Sequence, residues 1–141
     1  MHSRRSVVIV GNFDGVHRGH QRLISLARKR AEQLADERGP LPVLAITFWP
    51  HPMSVVSPDR APKLLCDLAD RVELLQVAGV DEVRVVQFNR EVAGWQPEYF
   101  IDTILRPLNP ALIVVGENFR FGRGASGSIA TLQEAGGGDF E

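Results

Sequence analysis

"VVIVGNFDGVHRGH" (Val7–His20) is the stretch on which the fold turns. Its opening residues, Val7–Val10, are continuously apolar and read as a short strand covered on both faces, as in a parallel sheet. Gly11 and Asn12 break that run, and Gly15 and Gly19 follow within the same tight exit. Arg18 to Arg38 then reads as a helix. Leu23, Ala27, Ala31 and Leu34 share one face, Arg, Lys and Glu fill the other, and Gly39-Pro40 stops it. A buried strand therefore turns sharply into a helix and sets His17 and His20 at the helix mouth.

The same alternation continues along the chain. "VLAITF" (Val43–Phe48) is a second strand, ended by Pro50 and Pro52. "DLADRVELLQVAG" is a helix with Leu68, Val72 and Leu75 inward and Gly79 after its end. "EVRVVQF" (Glu82–Phe88) is a third strand, and "QPEYFIDTIL" a shorter helix with Pro97 in its first turn. "ALIVVG" (Ala111–Gly116) is a fourth strand, followed by the loop "ENFRFGRGASG" and a short helix around Ser128–Ala135. Alternating strands and helices predict an α/β, Rossmann-like doubly wound parallel sheet with helices on both faces. Such sheets bind ligands outside the carboxyl ends of their strands. Three polar clusters fall at such ends, Gly11–His20, Trp49–Met53 and Glu117–Gly127, and should converge on one site.

Composition narrows the classes of function. The 141 residues suit one domain, and 44% hydrophobic with 23% charged residues is the make-up of an ordinary soluble globular protein. A net charge of −1 gives no bulk electrostatic case for nucleic acid or a membrane surface, so an anionic ligand must be held by local features. Cys66 is alone, which rules out an internal disulfide and suits a reducing cytoplasm. Paired arginines precede Val7–Val10, but an export signal needs ~7–15 apolar residues, and this run is too short.

The chemistry of the first loop follows from its spacing. His17-x-x-His20 puts both rings on one side of the first helical turn, where free N–H groups and the positive dipole end favour a phosphate. Gly15 and Gly19 clear space for a ligand to approach the backbone, and Asp14 can cap the helix. Other readings compete. Two histidines can begin a zinc site, but two ligands are too few and no HExxH pattern is present. They can be plain surface histidines. The glycines can simply shape a dinucleotide-type turn, although G-x-G-x-x-G is absent and the histidines are then left without a role. The phosphate reading accounts for most of the loop.

Taken together, these residues resemble a known family. "GNFDGVHRGH" is similar to the G-x-F-D-G-x-H-x-G-H signature of the FMN adenylyltransferase module of bacterial FAD synthetases. Those are bifunctional riboflavin kinase/FMN adenylyltransferases of the HxGH nucleotidyltransferase superfamily. "TFWPHP" (Thr47–Pro52) resembles that family's T-F-x-P-H-P, and "VVGENFRFGRGASG" (Val114–Gly127) its V-G-x-x-F-x-F-G-x-x-x-x-G. HxGH alone is a weak signal, whereas three motifs in order across nearly the whole chain are a strong one.

The resemblance implies transfer of AMP from ATP to FMN, giving FAD and pyrophosphate, with Mg²⁺ accompanying ATP. It implies catalytic roles for His17, His20 and Asn118. The ATP side would comprise Gly11, Phe13, Asp14, Gly15, His17, Gly19 and His20. The flavin side would comprise His51, Pro52, Tyr99, Asn118 and Phe121, with the Phe121 ring offered flat to the isoalloxazine. Phe48 and Phe119 are expected in the core, and at least one of Arg120 and Arg123 in solvent. The partners expected are these small molecules, with neither nucleic acid nor membrane.

The family pattern continues with a Ser/Thr-rich segment ending in arginine, I-S-S-T-x-x-R, which the sequence does not reach before "GGGDFE". The expectation is an adenylyltransferase domain over residues 1–141 truncated at its C-terminus, the riboflavin kinase module of the parent being absent. Two rival readings stand beside this one: a non-catalytic flavin- and nucleotide-binding fragment, and another HxGH enzyme such as a pantetheine-phosphate adenylyltransferase.

Overall fold

Ser6–Val10, almost without exposed surface, form β1, an interior strand in the computed structural model, which describes residues 4–13, 18–50, 59, 68–116 and 120–136. The elements that follow are α1 (Arg18–Gln33), β2 (Val43–Trp49), α2 (Leu68–Ala78), β3 (Glu82–Gln87) and the short α3 (Arg90–Ala93). Next come α4 (Pro97–Phe100), continued by a wide turn at Ile101–Leu105 and a tight one at Arg106–Leu108, then β4 (Pro110–Val114) and α5 (Ile129–Gly136). Among the described residues the strands form one parallel sheet in the order β3-β2-β1-β4. Val7 pairs with Val43 on one side and Leu112 on the other.

Strand periodicity sends alternate side chains to opposite faces, and both faces are covered. Val7, Ile9, Val43, Ala45, Leu112 and Val114 share a core with Ile24, Ala27 and Ala31 of α1 and Leu75 of α2. Val8, Val10, Leu44, Ile46 and Phe48 pack on the opposite face against Phe100, Ile101, Leu105 and Leu132. This is the doubly wound sheet expected from the alternation. β3 is an edge strand with partly exposed residues, among them the Glu82–Arg84 ion pair at 2.8 Å, and charge of this kind blunts an edge against further pairing. None of the described helices is long and apolar enough to cross a membrane.

Two details of the helices correct the sequence reading. α1 ends at Gln33 rather than Arg38. Arg4 forks onto Asp36, Nε to Oδ2 at 3.0 Å and Nη2 to Oδ1 at 2.7 Å. Its Nη2 also donates to the carbonyls of Gly39 and Pro40. Asp36 and Gly39 exchange backbone bonds of 3.0 Å, closing a turn for which Gly39 adopts φ 103°. The hydrogen bonds from Arg4, then that from the Arg38 backbone N–H, hold the Asp36 carboxyl well below the usual range, at about 2. In α2, Leu75 is inward as expected, but Leu68 and Val72 are half-buried. The fully buried partner of Leu75, one helical turn earlier, is Arg71.

Candidate active site

The carboxyl ends of β1, β2 and β4 lie side by side, with the crossover in strand order between β1 and β4. Crevices at such a reversal are where doubly wound sheets hold ligands. The loop leaving β1 is tied to β2: the Gly11 N–H donates to the Ile46 carbonyl at 3.1 Å, and the Thr47 hydroxyl donates to the Asn12 carbonyl at 2.9 Å. Phe13 takes a left-handed φ of 53°, unusual for a bulky residue. That conformation turns its ring into the core, where it is 1% exposed. A Cβ at Gly11 would meet Phe13 Cζ at 3.1 Å, which explains a glycine where the ring folds back. From there the ring meets the His20 imidazole edge-on, centroids 5.1 Å apart.

His20 is half-buried in the first turn of α1, beside exposed Arg18 and Gly19, at the mouth of the helix that follows β1. Gly11 and His20 thus each approach the Phe13 ring, and Gly19 adjoins His20 on α1. The Phe13 ring itself is buried and packs against His20. Asp14, Gly15 and His17 lie outside the described residues.

Beyond β2, the Trp49–Pro50 peptide is cis, and His51 and Pro52 lie outside the described residues. The described end of this strand carries a feature that hydropathy did not disclose. The Arg71 guanidinium reaches from α2 beneath β2, donating from Nη1 to Thr47 Oγ1 at 3.1 Å and to the Phe48 carbonyl at 3.0 Å. Its Cζ stands 5.5 Å from the centroid of the Trp49 ring.

The third loop is a compact hairpin. Phe121 and Gly127 exchange backbone bonds of 3.1 and 2.8 Å, with Gly122, Gly124 and Ala125 at positive φ between them. The Ser126 hydroxyl donates to the Arg123 carbonyl at 2.7 Å, and the Arg123 N–H donates to the Trp95 carbonyl at 2.7 Å. Arg120 and Arg123 are both exposed. Phe121 is not an open aromatic face: it is 7% exposed and packs against Phe100 at 5.5 Å, in the same core as Val10 and Phe48. Phe48 is in the core as expected, while Phe119 and Asn118 lie outside the described residues. Tyr99 is the exposed aromatic here, 53% accessible and edge-on to Trp95 at 4.8 Å. Sequence reasoning passed over Trp95; its spacing of four from Tyr99 was the available signal.

Among the described residues no group of three or more His, Cys, Asp or Glu side chains comes together that could hold a metal ion. The donors present are N–H groups, imidazole and arginine, a set suited to anions.

Comparison with known proteins agrees with this geometry. The family model described as FAD synthetase matches residues 1–141. Bifunctional riboflavin kinase/FMN adenylyltransferases from Escherichia coli (strain K12) and Bacillus subtilis (strain 168) are each 37% identical over 131 residues, covering 92% of this chain and 40% of their own length. The enzyme of that name from Listeria monocytogenes is 36% identical over 136 residues. The chain spans about 40% of the length of the first two relatives. A crystal structure described as a macrolide-efflux protein from Streptococcus pneumoniae superposes with a TM-score of 0.78 at 27% identity, covering 95% of this chain and 43% of that one. That description belongs to the other protein; the two share a fold.

Proposed function

Because the chain belongs to the FAD synthetase family, we propose that it transfers AMP from ATP to FMN, giving FAD and pyrophosphate. The observation that carries this reading is His20 on the first turn of α1, its ring against Phe13 on the loop that leaves β1, one of the two strands at the reversal of strand order. An FMN phosphate oxygen attacks the α-phosphorus of ATP; a new P–O bond forms, the bond to the β-phosphate oxygen breaks, and pyrophosphate leaves. The FMN phosphate has a second pKa near ~6, so it is largely dianionic at neutral pH and needs no general base. The protein's task is to align the two substrates and stabilise the charge that grows on the triphosphate.

In this reading His17 and His20 donate to triphosphate oxygens. Gly11, the Phe13 backbone, Asp14, Gly15 and Gly19 shape the loop around ATP. His51, Pro52, Tyr99 and Asn118 serve the flavin, with Trp95 beside Tyr99, while Phe121 supports that wall from the core. Mg²⁺ accompanying ATP as part of that substrate would screen the triphosphate charge, held by substrate oxygens and water. A parent carrying the riboflavin kinase module of its relatives would also make the FMN it consumes, in the cytoplasm.

The test is FAD formation from ATP, FMN and magnesium, followed by chromatography, with pantetheine phosphate offered in parallel. FAD and pyrophosphate in equal amounts are expected. Turnover of pantetheine phosphate alone, or binding of FMN and ATP without product, would overturn the reading.

A further inference from the structure

Among the described residues Arg71 is the largest fully buried side chain, and it is charged. Its Nη1 is used twice, but Nε and Nη2 have no hydrogen-bond partner, and among the described residues no carboxylate pairs with it. A buried, unpaired charge is costly, and a well-packed apolar side chain in its place is often neutral or stabilising. Contact with the Trp49 ring offsets only part of that cost. The hydrogen bonds that Arg71 does make therefore identify its use. They run in a chain: guanidinium to Thr47 hydroxyl, and Thr47 hydroxyl to the Asn12 carbonyl. Thr47 is itself fully buried, as is its bond from Arg71, while the bond it makes to Asn12 is part-buried.

The relay joins three elements that are distant in sequence. It begins on α2, crosses the carboxyl end of β2, and ends on the loop that leads through Phe13 to His20. A hydroxyl has one proton to give. Arg71 donates to the Thr47 oxygen as well, which leaves the Thr47 proton committed to Asn12. We infer that Arg71 is a positioning residue for adenylyl transfer. It orients the Thr47 hydroxyl so that the Asn12 backbone, and with it the described start of the loop at Gly11–Phe13, is held in register with β2. The inference rests on the reaction proposed above and adds to it a residue outside all three motifs.

The test compares Arg71→Met, Arg71→Lys, Thr47→Val and Thr47→Ser in the full chain. Displacement of a reacting group by about 1 Å can cost ~10²-fold, so Arg71→Met and Thr47→Val should each lower kcat roughly tenfold to a hundredfold. KM for ATP and for FMN should change less than kcat. The double variant should lose little more than either single one, because both cut the same relay. Arg71→Lys and Thr47→Ser, which keep a cation and a hydroxyl, should recover most of the loss.

Amide hydrogen exchange at Gly11, Asn12 and Phe13 should quicken alike in Arg71→Met and Thr47→Val. This readout needs no substrate. If Arg71→Met fails to fold, the near-isosteric Thr47→Val against Thr47→Ser carries the comparison. Unchanged kcat and unchanged exchange in Thr47→Val, or additive losses in the double variant, would overturn the inference. Failure of the wild-type chain to make FAD, with exchange responding as expected, would sink the proposed reaction and leave the relay standing.

Discussion

The Phe13 ring meets the His20 imidazole edge-on, with centroids 5.1 Å apart and planes inclined by 74°. Phe13 reaches that position only by adopting φ 53°, a conformation that costs a bulky residue on the order of 1–3 kcal/mol. In the reaction proposed above, a strained, packed ring against His20 would serve to orient that imidazole. Phe13→Leu, close in volume, should lower stability by less than about 1.5 kcal/mol. It should nevertheless reduce the rate of FAD formation by loosening His20. Thermal melts beside initial rates would show this, and a proportionate loss of both would mean the ring serves packing alone.

His20→Ala should remove a donor to the reacting phosphates and cost about 10²–10³ in rate. His20 is half-buried and stands on the first turn of a helix, so the melting temperature should move by only a few degrees. Full turnover in a folded variant would remove His20 from the mechanism.

The two aromatic residues assigned to flavin should behave differently. Tyr99→Ala should weaken FMN binding by roughly 1–3 kcal/mol while leaving ATP binding nearly unchanged, since exposed aromatic faces act by stacking. Phe121 is packed among Phe100, Val10 and Phe48, so Phe121→Ala should instead destabilise the fold by about 3–5 kcal/mol. Quenching of flavin fluorescence and a denaturant titration separate these outcomes. Selective loss of FMN by Phe121→Ala at full stability would reverse the assignment.

The Arg4–Asp36 fork should appear in the acid limb of stability. Its carboxyl is held at about 2, below its ordinary value, so the folded state favours the ionised form. The contribution is fully present above the unfolded carboxylate pKa of about 4 and fades as pH falls toward about 2. Asp36→Asn should melt lower than wild type at pH 6, and the two curves should converge near the acid end. Both side chains are partly exposed, so the difference should be small and should shrink in high salt. A difference that persists unchanged at the lowest pH would contradict this origin.

Local pattern by itself determined the alternation of strands and helices, the buried run at Val7–Val10 and the placement of Pro97 at a helix start. It also set the three polar loops at strand ends, because period, turn residues and strand order are properties of neighbouring residues and of chain connectivity. Only the tertiary structure decided the rest. α1 stops at Gln33 because Arg4, 32 residues before Asp36, captures the turn that follows. Phe13 and Phe121 turn inward, in the cores on opposite faces of the sheet, while Tyr99 on α4 stays out, a choice made by tertiary packing and not by aromatic character. Arg71 enters the core because two acceptors on β2, more than twenty residues earlier, wait for it there. No periodicity announces a cation on an inward helical face, since the groups that satisfy it meet it only after the sheet has formed.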